Sequence, residues 1–170
     1  SNWEREHTFG KESVLSTYVR PEKKDTIVKL TNQEKQMVRD NVVQNVTELT
    51  YAYPDTTFYF FLTPYSICYW DSLDREGKVE WEVEAQRIAI EEMLKCDNIE
   101  LYSFCNNFEL VCDLNNYKDA GHYSEKINSQ ILVWMKNGDY KLTEENYENY
   151  LKETYDFYSA YDYESIFTNL

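Results

Sequence analysis

Two residues of this chain have the types and the spacing for acid–base chemistry. His122 follows Asp119 by three positions, within LNNYKDAGHYSEKI at residues 114–127. Histidine titrates near neutral pH, and a carboxylate beside its Nδ1 can fix the tautomer and stabilise an imidazolium. Gly121 would let the backbone turn sharply between them. The spacing also fits a simple turn at Asp119, with His122 packed at the start of a helix.

Helices and strands alternate in the hydrophobic pattern around this pair. Unbroken apolar runs predict strands over 57–62 and 98–104, and 108–112 is a candidate short extension of the second. Because the first run is almost wholly apolar, we expect that strand to be covered on both faces. Apolar residues at helical spacing predict further elements: a short helix over 11–18, a helix over 31–51 opened by a Thr31–Glu34 capping box, and helices over 80–94, from Ser124 to Gly138, and after Thr143.

This order of elements predicts an α/β fold with a parallel sheet and flanking helices. In such sheets ligands bind beyond the carboxyl ends of the strands. Those ends lead into the polar and aromatic segments 63–70 and 105–122. The second segment contains Asp119 and His122, so the topology places the pair at the ligand-binding edge.

Composition and charge fit one globular domain over residues 1–170. The chain is 42% hydrophobic and 16% aromatic, with no internal repeat or low-complexity linker. Its net charge of −14 argues against nucleic acid and against anionic membrane surfaces as partners. We expect acidic residues such as Asp71 to be solvated or in turns, and His7, in a polar N-terminal segment, to be exposed.

Four cysteines are present, at positions 68, 96, 105 and 112. None forms a C-x-x-C motif or a cysteine–histidine pair at zinc-finger spacing, so the sequence implies no metal site. Two interpretations stay open at this point. The thiols are reduced and buried, or they form two disulfides if the protein lies outside the cytoplasm.

Three stretches together resemble a known enzyme family. LNNYKDAGHYSEKINSQIL, FFLTPYSICYWDSL and FGKESVLSTY are similar to the C-terminal half of SGNH/GDSL-type hydrolases. The similarity is nearest to an uncharacterised bacterial branch distantly similar to the D-alanyl-lipoteichoic-acid transfer proteins. The resemblance implies a flavodoxin-like sheet, with Asp119 and His122 as the acid and base of a catalytic triad.

The chain departs from the family pattern at the nucleophile. No G-D-S, G-T-S or G-x-N-D motif is present, and the four glycines are Gly10, Gly77, Gly121 and Gly138. We therefore expect this chain to be the C-terminal part of a larger SGNH-like domain, holding the base and its orienting acid without the serine. On that expectation the chain alone is inactive.

Residues after the first predicted strand are candidates for substrate binding. The resemblance places Ser66 where related proteins line their cleft, although no elbow turn marks it as a nucleophile. Tyr65, Tyr69 and Trp70 have the character of an aromatic wall for an acyl chain or a sugar, or of ordinary core packing. No cofactor is implied.

The leading hypothesis is therefore part of an esterase or acyltransferase that acts on ester-linked acyl groups or cell-envelope glycans. The resemblance implies a location outside the cytoplasm, and a cytoplasmic location is the alternative. The partner would be the missing N-terminal half or another protein. The rival hypothesis is a non-catalytic α/β accessory domain, whose acidic, tyrosine-rich C-terminal helix docks a partner.

Overall fold

A computed structural model describes residues 8–168 as helices that flank two short parallel strands, and His7 lies outside this range. The helices and strands in chain order are α1 (Lys11–Thr17), α2 (Asn32–Val42), α3 (Glu48–Ala52), β1 (Phe58–Leu62), α4 (Ile67–Arg75), α5 (Val79–Met93), β2 (Ile99–Ser103), α6 (Phe108–Cys112), α7 (Glu125–Asn137) and α8 (Tyr147–Ala160). A π-helical turn, Val43–Thr47, joins α2 to α3. Short 3-10 turns cover Leu114–Asn116 and Tyr163–Phe167.

The two strands form a small parallel sheet. Phe58 lies opposite Ile99 and Leu62 opposite Ser103. Parallel neighbours require a crossover connection, which α4 and α5 provide. The predicted α/β class with a parallel sheet and flanking helices is confirmed in this form. Both strands end at one edge, where the Cys105 thiol donates a hydrogen bond to the Thr63 carbonyl at 3.3 Å.

β1 is less covered than its apolar sequence predicts. Burial on both faces was expected, but Tyr59 is 59% exposed and the rest of the strand is half-buried. β2, in contrast, is buried at all positions except Glu100. Within residues 8–168 β1 pairs only with β2, so its other edge carries no neighbouring strand there. An unpaired edge leaves its side chains with neighbours on one side only.

Alternating residues of the strands contribute to two apolar clusters. Phe58, Phe60 and Leu101 belong to the larger cluster, which includes residues of α4, α5 and α8. Phe61 and Tyr102 belong to a smaller cluster. The residues of α7 in that cluster are Ile127, Ile131, Trp134 and Met135. The alternation follows from the two-residue period of a strand.

The Thr31–Glu34 capping box is confirmed, but the helix behind it changes its buried face. Apolar residues at helical spacing after the box, Val38, Val42, Val46 and Leu49, predict one buried stripe. Leu49 is instead 45% exposed, whereas Thr47 and Thr50 are buried. The cause is the π turn Val43–Thr47, which adds one residue and rotates all later positions relative to the core. Periodicity alone does not predict such an insertion.

Two other local predictions were wrong. Residues 108–112 form α6 rather than a strand extension, because the Asn107 side chain accepts a hydrogen bond from the Leu110 amide and opens a helical turn. The last helix begins at Tyr147 rather than directly after Thr143. The Asn146 side chain accepts from the Thr143 amide, so the intervening residues form a turn.

All four cysteines are free thiols, so neither of the two disulfides left open by the sequence forms. Cys68, Cys96 and Cys105 are buried, and Cys112 is half-buried. Burial raises the pKa of Cys68 to about 12 and that of Cys105 to about 11. These two thiols are therefore protonated at neutral pH and are poor nucleophiles.

Asp71, expected at the surface, is fully buried in an ion pair. The Arg20 guanidinium donates to both of its carboxylate oxygens at 2.8 and 2.9 Å, and the Tyr18 hydroxyl donates at 2.8 Å. The guanidinium also lies 4.3 Å from the centre of the Phe167 ring. Through these contacts Tyr18 and Arg20, in the segment that follows α1, bind to Asp71 of α4.

Replacing Asp71 by alanine is expected to lower the free energy of unfolding by about 3–5 kcal/mol, because the Arg20 charge and the Tyr18 hydroxyl lose a buried acceptor. Urea unfolding followed by circular dichroism measures this loss. Asp74→Ala is the matched control, since the Lys23–Asp74 pair is more exposed and is expected to contribute about 1 kcal/mol or less. Equal losses in the two variants would contradict the structural role of Asp71.

Candidate functional site

Asp119 and His122 are in contact, and the Asp119 carboxylate makes the turn between them. Its Oδ1 accepts hydrogen bonds from the amides of Gly121 and His122, each at 2.9 Å. The imidazole Nδ1 lies 2.8 Å from the same oxygen and 3.0 Å from Oδ2. Both interpretations of the spacing are therefore realised in one arrangement: Asp119 forms a turn and also holds the histidine ring.

The chemistry of the pair follows from the charge on Asp119. Partial burial raises the pKa of this carboxyl, but hydrogen bonds from Gly121 and His122 outweigh burial and hold the pKa below its ordinary value of 3.8. The carboxylate is thus ionised at neutral pH, and Nδ1 must donate the proton in the shared bond. In the neutral ring the lone pair then lies on Nε2. The His122 side chain is 68% exposed, so the ring is accessible.

Backbone hydrogen bonds close the loop that carries the pair. Tyr117 and Tyr123 form an antiparallel bridge, and the Lys118 amide donates to the His122 carbonyl at 2.8 Å. The Ser13 hydroxyl of α1 donates to the Lys118 carbonyl at 3.1 Å. A hydrogen bond from α1 therefore supports the loop at Lys118, next to Asp119.

Gly121 does not have the role expected from the sequence. The glycines with positive φ are Gly10, Gly77 and Gly138, so the turn at Gly121 needs no left-handed backbone. A Cβ built there would lie 3.6 Å from the Tyr65 ring, an ordinary contact distance. The turn comes instead from the hydrogen bonds that the Asp119 carboxylate accepts.

Ser66 links the loop to the end of the sheet. Its amide and its hydroxyl both donate to the Ala120 carbonyl, at 3.0 and 2.9 Å. The residue is fully buried. The contact that the structure gives Ser66 is thus with the loop of Asp119 and His122, and its hydroxyl is already engaged.

Tyr65 and Trp70, the other predicted substrate-binding residues, differ in exposure. Tyr65 is 38% exposed and packs beside Gly121. Trp70 is 1% exposed and stacks on Tyr158, with ring centroids 3.7 Å apart. Trp70 is therefore mainly a core residue, which was the alternative interpretation. Its indole Nε1 has no hydrogen-bond partner among the described residues.

A cavity of about 230 Å³ lies at the carboxyl end of β1, next to this loop. Tyr65 lines it, and the Tyr65 ring lies 3.6 Å from the position that a Cβ on residue 121 would take, so this ring stands between the cavity and the loop of Asp119 and His122. The aromatic, polar and thiol side chains in the cavity wall include those of Tyr65, Tyr69, Trp70, Glu82, Gln86 and Cys105. We call this space the Glu82 cavity, after the one carboxylate among the described residues that line it.

Sequence reasoning missed Glu82 and Gln86. Both lie on α5, one turn apart, and the Gln86 amide donates to the Glu82 carboxylate at 3.0 Å. The spacing of four residues is a recognisable signal for a hydrogen-bonded pair on one helix face. Nothing in the sequence shows that this face meets the end of β1, because that contact depends on the packing of α5 against the sheet.

Within the described range, Asp119 is the hydrogen-bond partner of the imidazole, and no serine, threonine or cysteine side chain bonds to it. The same range contains no group of three His, Cys, Asp or Glu side chains arranged for a metal ion.

None of the helices between residues 8 and 168 has the length and apolarity needed to cross a bilayer.

No known protein family, curated protein or solved structure matches this chain.

Proposed function

We propose that this chain supplies the base and the orienting acid of a serine-dependent, SGNH-like ester hydrolase or acyltransferase. The observation that carries the proposal is the 2.8 Å contact between His122 Nδ1 and the Asp119 carboxylate, in an accessible loop. An ionised carboxylate on Nδ1 leaves Nε2 free to accept a proton, which is the arrangement a general base needs.

The position of the pair in the fold also supports the proposal. Ser66, four residues after the end of β1, holds Ala120 through two hydrogen bonds, so the loop is fixed to the carboxyl end of the sheet. Ligands of parallel α/β sheets bind at this edge. A chance Asp-x-x-H on a distant surface would lack both the anchor and the neighbouring cavity.

The proposed reaction begins with proton transfer to His122 Nε2 from a serine hydroxyl, as the serine oxygen attacks the ester carbonyl. Asp119 stabilises the imidazolium that forms. The tetrahedral intermediate then expels the alcohol, which takes the proton from His122, and leaves an acyl-serine. A water molecule or an acceptor hydroxyl attacks this acyl group with the same base, which regenerates the serine.

The serine must come from outside residues 8–168, and the free edge of β1 offers a place for the segment that carries it. Parallel sheets are normally covered on both faces and continue over several strands, whereas β1 leaves Tyr59 exposed and pairs only with β2 in the described range. A further parallel strand on β1 would extend this sheet toward the flavodoxin-like form.

The substrate class follows from the family resemblance of the sequence. We propose ester-linked acyl groups on cell-envelope glycans as substrates, in an extracytoplasmic location. The net charge of −14 favours uncharged or cationic substrates over polyanions such as nucleic acids.

Labelling the full-length protein with a fluorophosphonate tests the proposal. The nucleophilic serine displaces fluoride and forms a stable phosphonyl ester, so mass spectrometry should find one adduct, on a serine outside residues 8–168. The His122→Ala variant should not be labelled, because the serine then lacks its base.

The matched control is His7→Ala, which removes the other histidine of the chain and should leave labelling unchanged. The hydrolase proposal would be contradicted if the full-length protein formed no adduct. It would also be contradicted if the wild type and the His122→Ala variant were labelled equally. Either result would favour the non-catalytic accessory domain.

A further inference from the structure

We propose that the Glu82 cavity binds a small organic ammonium group, held between aromatic side chains and the Glu82 carboxylate. The proposal concerns binding alone and goes beyond the reaction proposed for Asp119 and His122. It therefore stands or falls independently of catalysis.

The charge of the cavity is the first argument. Glu82 is the one carboxylate in the described part of its wall, which contains no Lys, Arg or His side chain. Burial raises the pKa of Cys105 to about 11 and that of Tyr69 still further, so the thiol and the phenol are neutral. No Lys or Arg within residues 8–168 forms an ion pair with Glu82. The cavity thus has an uncompensated negative charge, which favours a cation.

The Glu82 carboxylate is held in place by neutral donors. The Tyr69 hydroxyl donates to its Oε2 at 3.1 Å and the Gln86 amide to its Oε1 at 3.0 Å. The Gln86 carbonyl in turn accepts from the Tyr150 hydroxyl at 2.7 Å, which accepts from Ser103 at 2.8 Å. These bonds orient the carboxylate but leave its charge in place, and two of its lone-pair directions stay open.

The aromatic wall is the second argument. Tyr65 and Tyr69 pack with ring centroids 4.6 Å apart, and Tyr69 meets Trp70 edge to face at 5.8 Å. Aromatic rings attract cations through their quadrupole, and this attraction adds to that between a carboxylate and an ammonium group. The carboxylate would repel an anion. A neutral apolar group would leave the carboxylate without a counter-ion, so both kinds of ligand are disfavoured.

The volume limits the size of the ligand. About 230 Å³ is below the range of roughly 300–1,000 Å³ that is typical for drug-sized ligands. The space suits a head group such as a primary or quaternary ammonium, with the remainder of the ligand outside. Tyr65, at the boundary with the loop of Asp119 and His122, would contact that remainder.

Calorimetric titration of the full-length protein with choline, compared with 3,3-dimethyl-1-butanol, tests the inference. The two molecules have the same shape, but only choline has a positive charge. Choline should bind at one site, about tenfold or more tighter than the neutral isostere, because cation–π and charge interactions together contribute more than 1.4 kcal/mol. Glu82→Gln should weaken choline binding by a similar factor.

Glu84→Gln is the matched control. It removes the same charge from the same helix, but Glu84 pairs with Lys35 and Arg87 and does not line the cavity. Circular dichroism checks that both variants are folded, and Tyr69→Phe gives a second, milder change in the cavity wall, with weaker choline binding expected.

Equal affinity for choline and the isostere, no binding of choline, or equal weakening by Glu82→Gln and Glu84→Gln would overturn the proposal. Because the titration needs no turnover, its outcome is separate from that of the fluorophosphonate experiment.

Discussion

Replacing His122 by alanine is expected to lower ester hydrolysis by the full-length protein by about 10⁶-fold, which is the loss seen when the base of a serine triad is removed. Without the imidazole nothing accepts the serine proton, and the hydroxyl is a weak nucleophile at neutral pH. The side chain is 68% exposed, so its removal should leave the fold unchanged. The measurement is kcat/KM for p-nitrophenyl acetate.

Two comparisons make this result specific. His7→Ala changes the same residue type elsewhere in the chain and should retain full activity. Urea unfolding of His122→Ala should match the wild type, which excludes loss of structure as the cause. If the His122→Ala protein hydrolysed the ester as fast as the wild type, the assignment of His122 as general base would be wrong.

Replacing Asp119 by asparagine is expected to reduce kcat by about 10⁴-fold without unfolding the loop. Oδ1 of asparagine can still accept from the Gly121 and His122 amides at the 2.9 Å positions. The amide nitrogen then takes the place of Oδ2, 3.0 Å from Nδ1, and donates where the carboxylate accepted. This amide hydrogen repels a proton on Nδ1 and favours the tautomer with its proton on Nε2, in competition with Oδ1, which still lies 2.8 Å from Nδ1. The tautomer with its proton on Nε2 cannot accept a proton from the serine.

Nitrogen-15 NMR of the histidine side chains measures the tautomer directly, alongside kcat. The wild type should have its neutral-ring proton on Nδ1, and Asp119→Asn should have it on Nε2. Asp113→Asn is the control, because Asp113 accepts from the Asn115 amide at 3.0 Å in the same region but has no contact with the ring. An Asp119→Asn protein with the wild-type tautomer would contradict an orienting role for Asp119.

The contact between Asp119 and His122 was predictable from the sequence because it is local. Three residues separate the partners, and a carboxylate that caps a turn of this length brings the third residue on beside itself. The capping box at Thr31, the cap at Ser124 and the left-handed Gly138 were predictable for the same reason. Each depends on hydrogen bonds within four residues of backbone.

Tertiary structure decided the surroundings of the pair. Ser66, a predicted substrate-binding residue, donates a hydrogen bond to Ala120, 54 residues away. Asp71 was predicted to be solvated or in a turn, and it is buried in α4 against Arg20, 51 residues away. Neither partner can be inferred from one sequence, because side-chain type does not specify which distant residue packs against it.

The same physical distinction separates the two sites. Local spacing was enough to predict an acid–base pair and the α/β alternation that carries it, since both follow from backbone periodicity and short-range hydrogen bonds. The Glu82 cavity exists only because α5 packs against the end of β1, which brings Glu82 beside Tyr69 and Trp70. The amino-acid order therefore specified the contact between Asp119 and His122. Long-range packing determined what surrounds this pair, including the neighbouring Glu82 cavity.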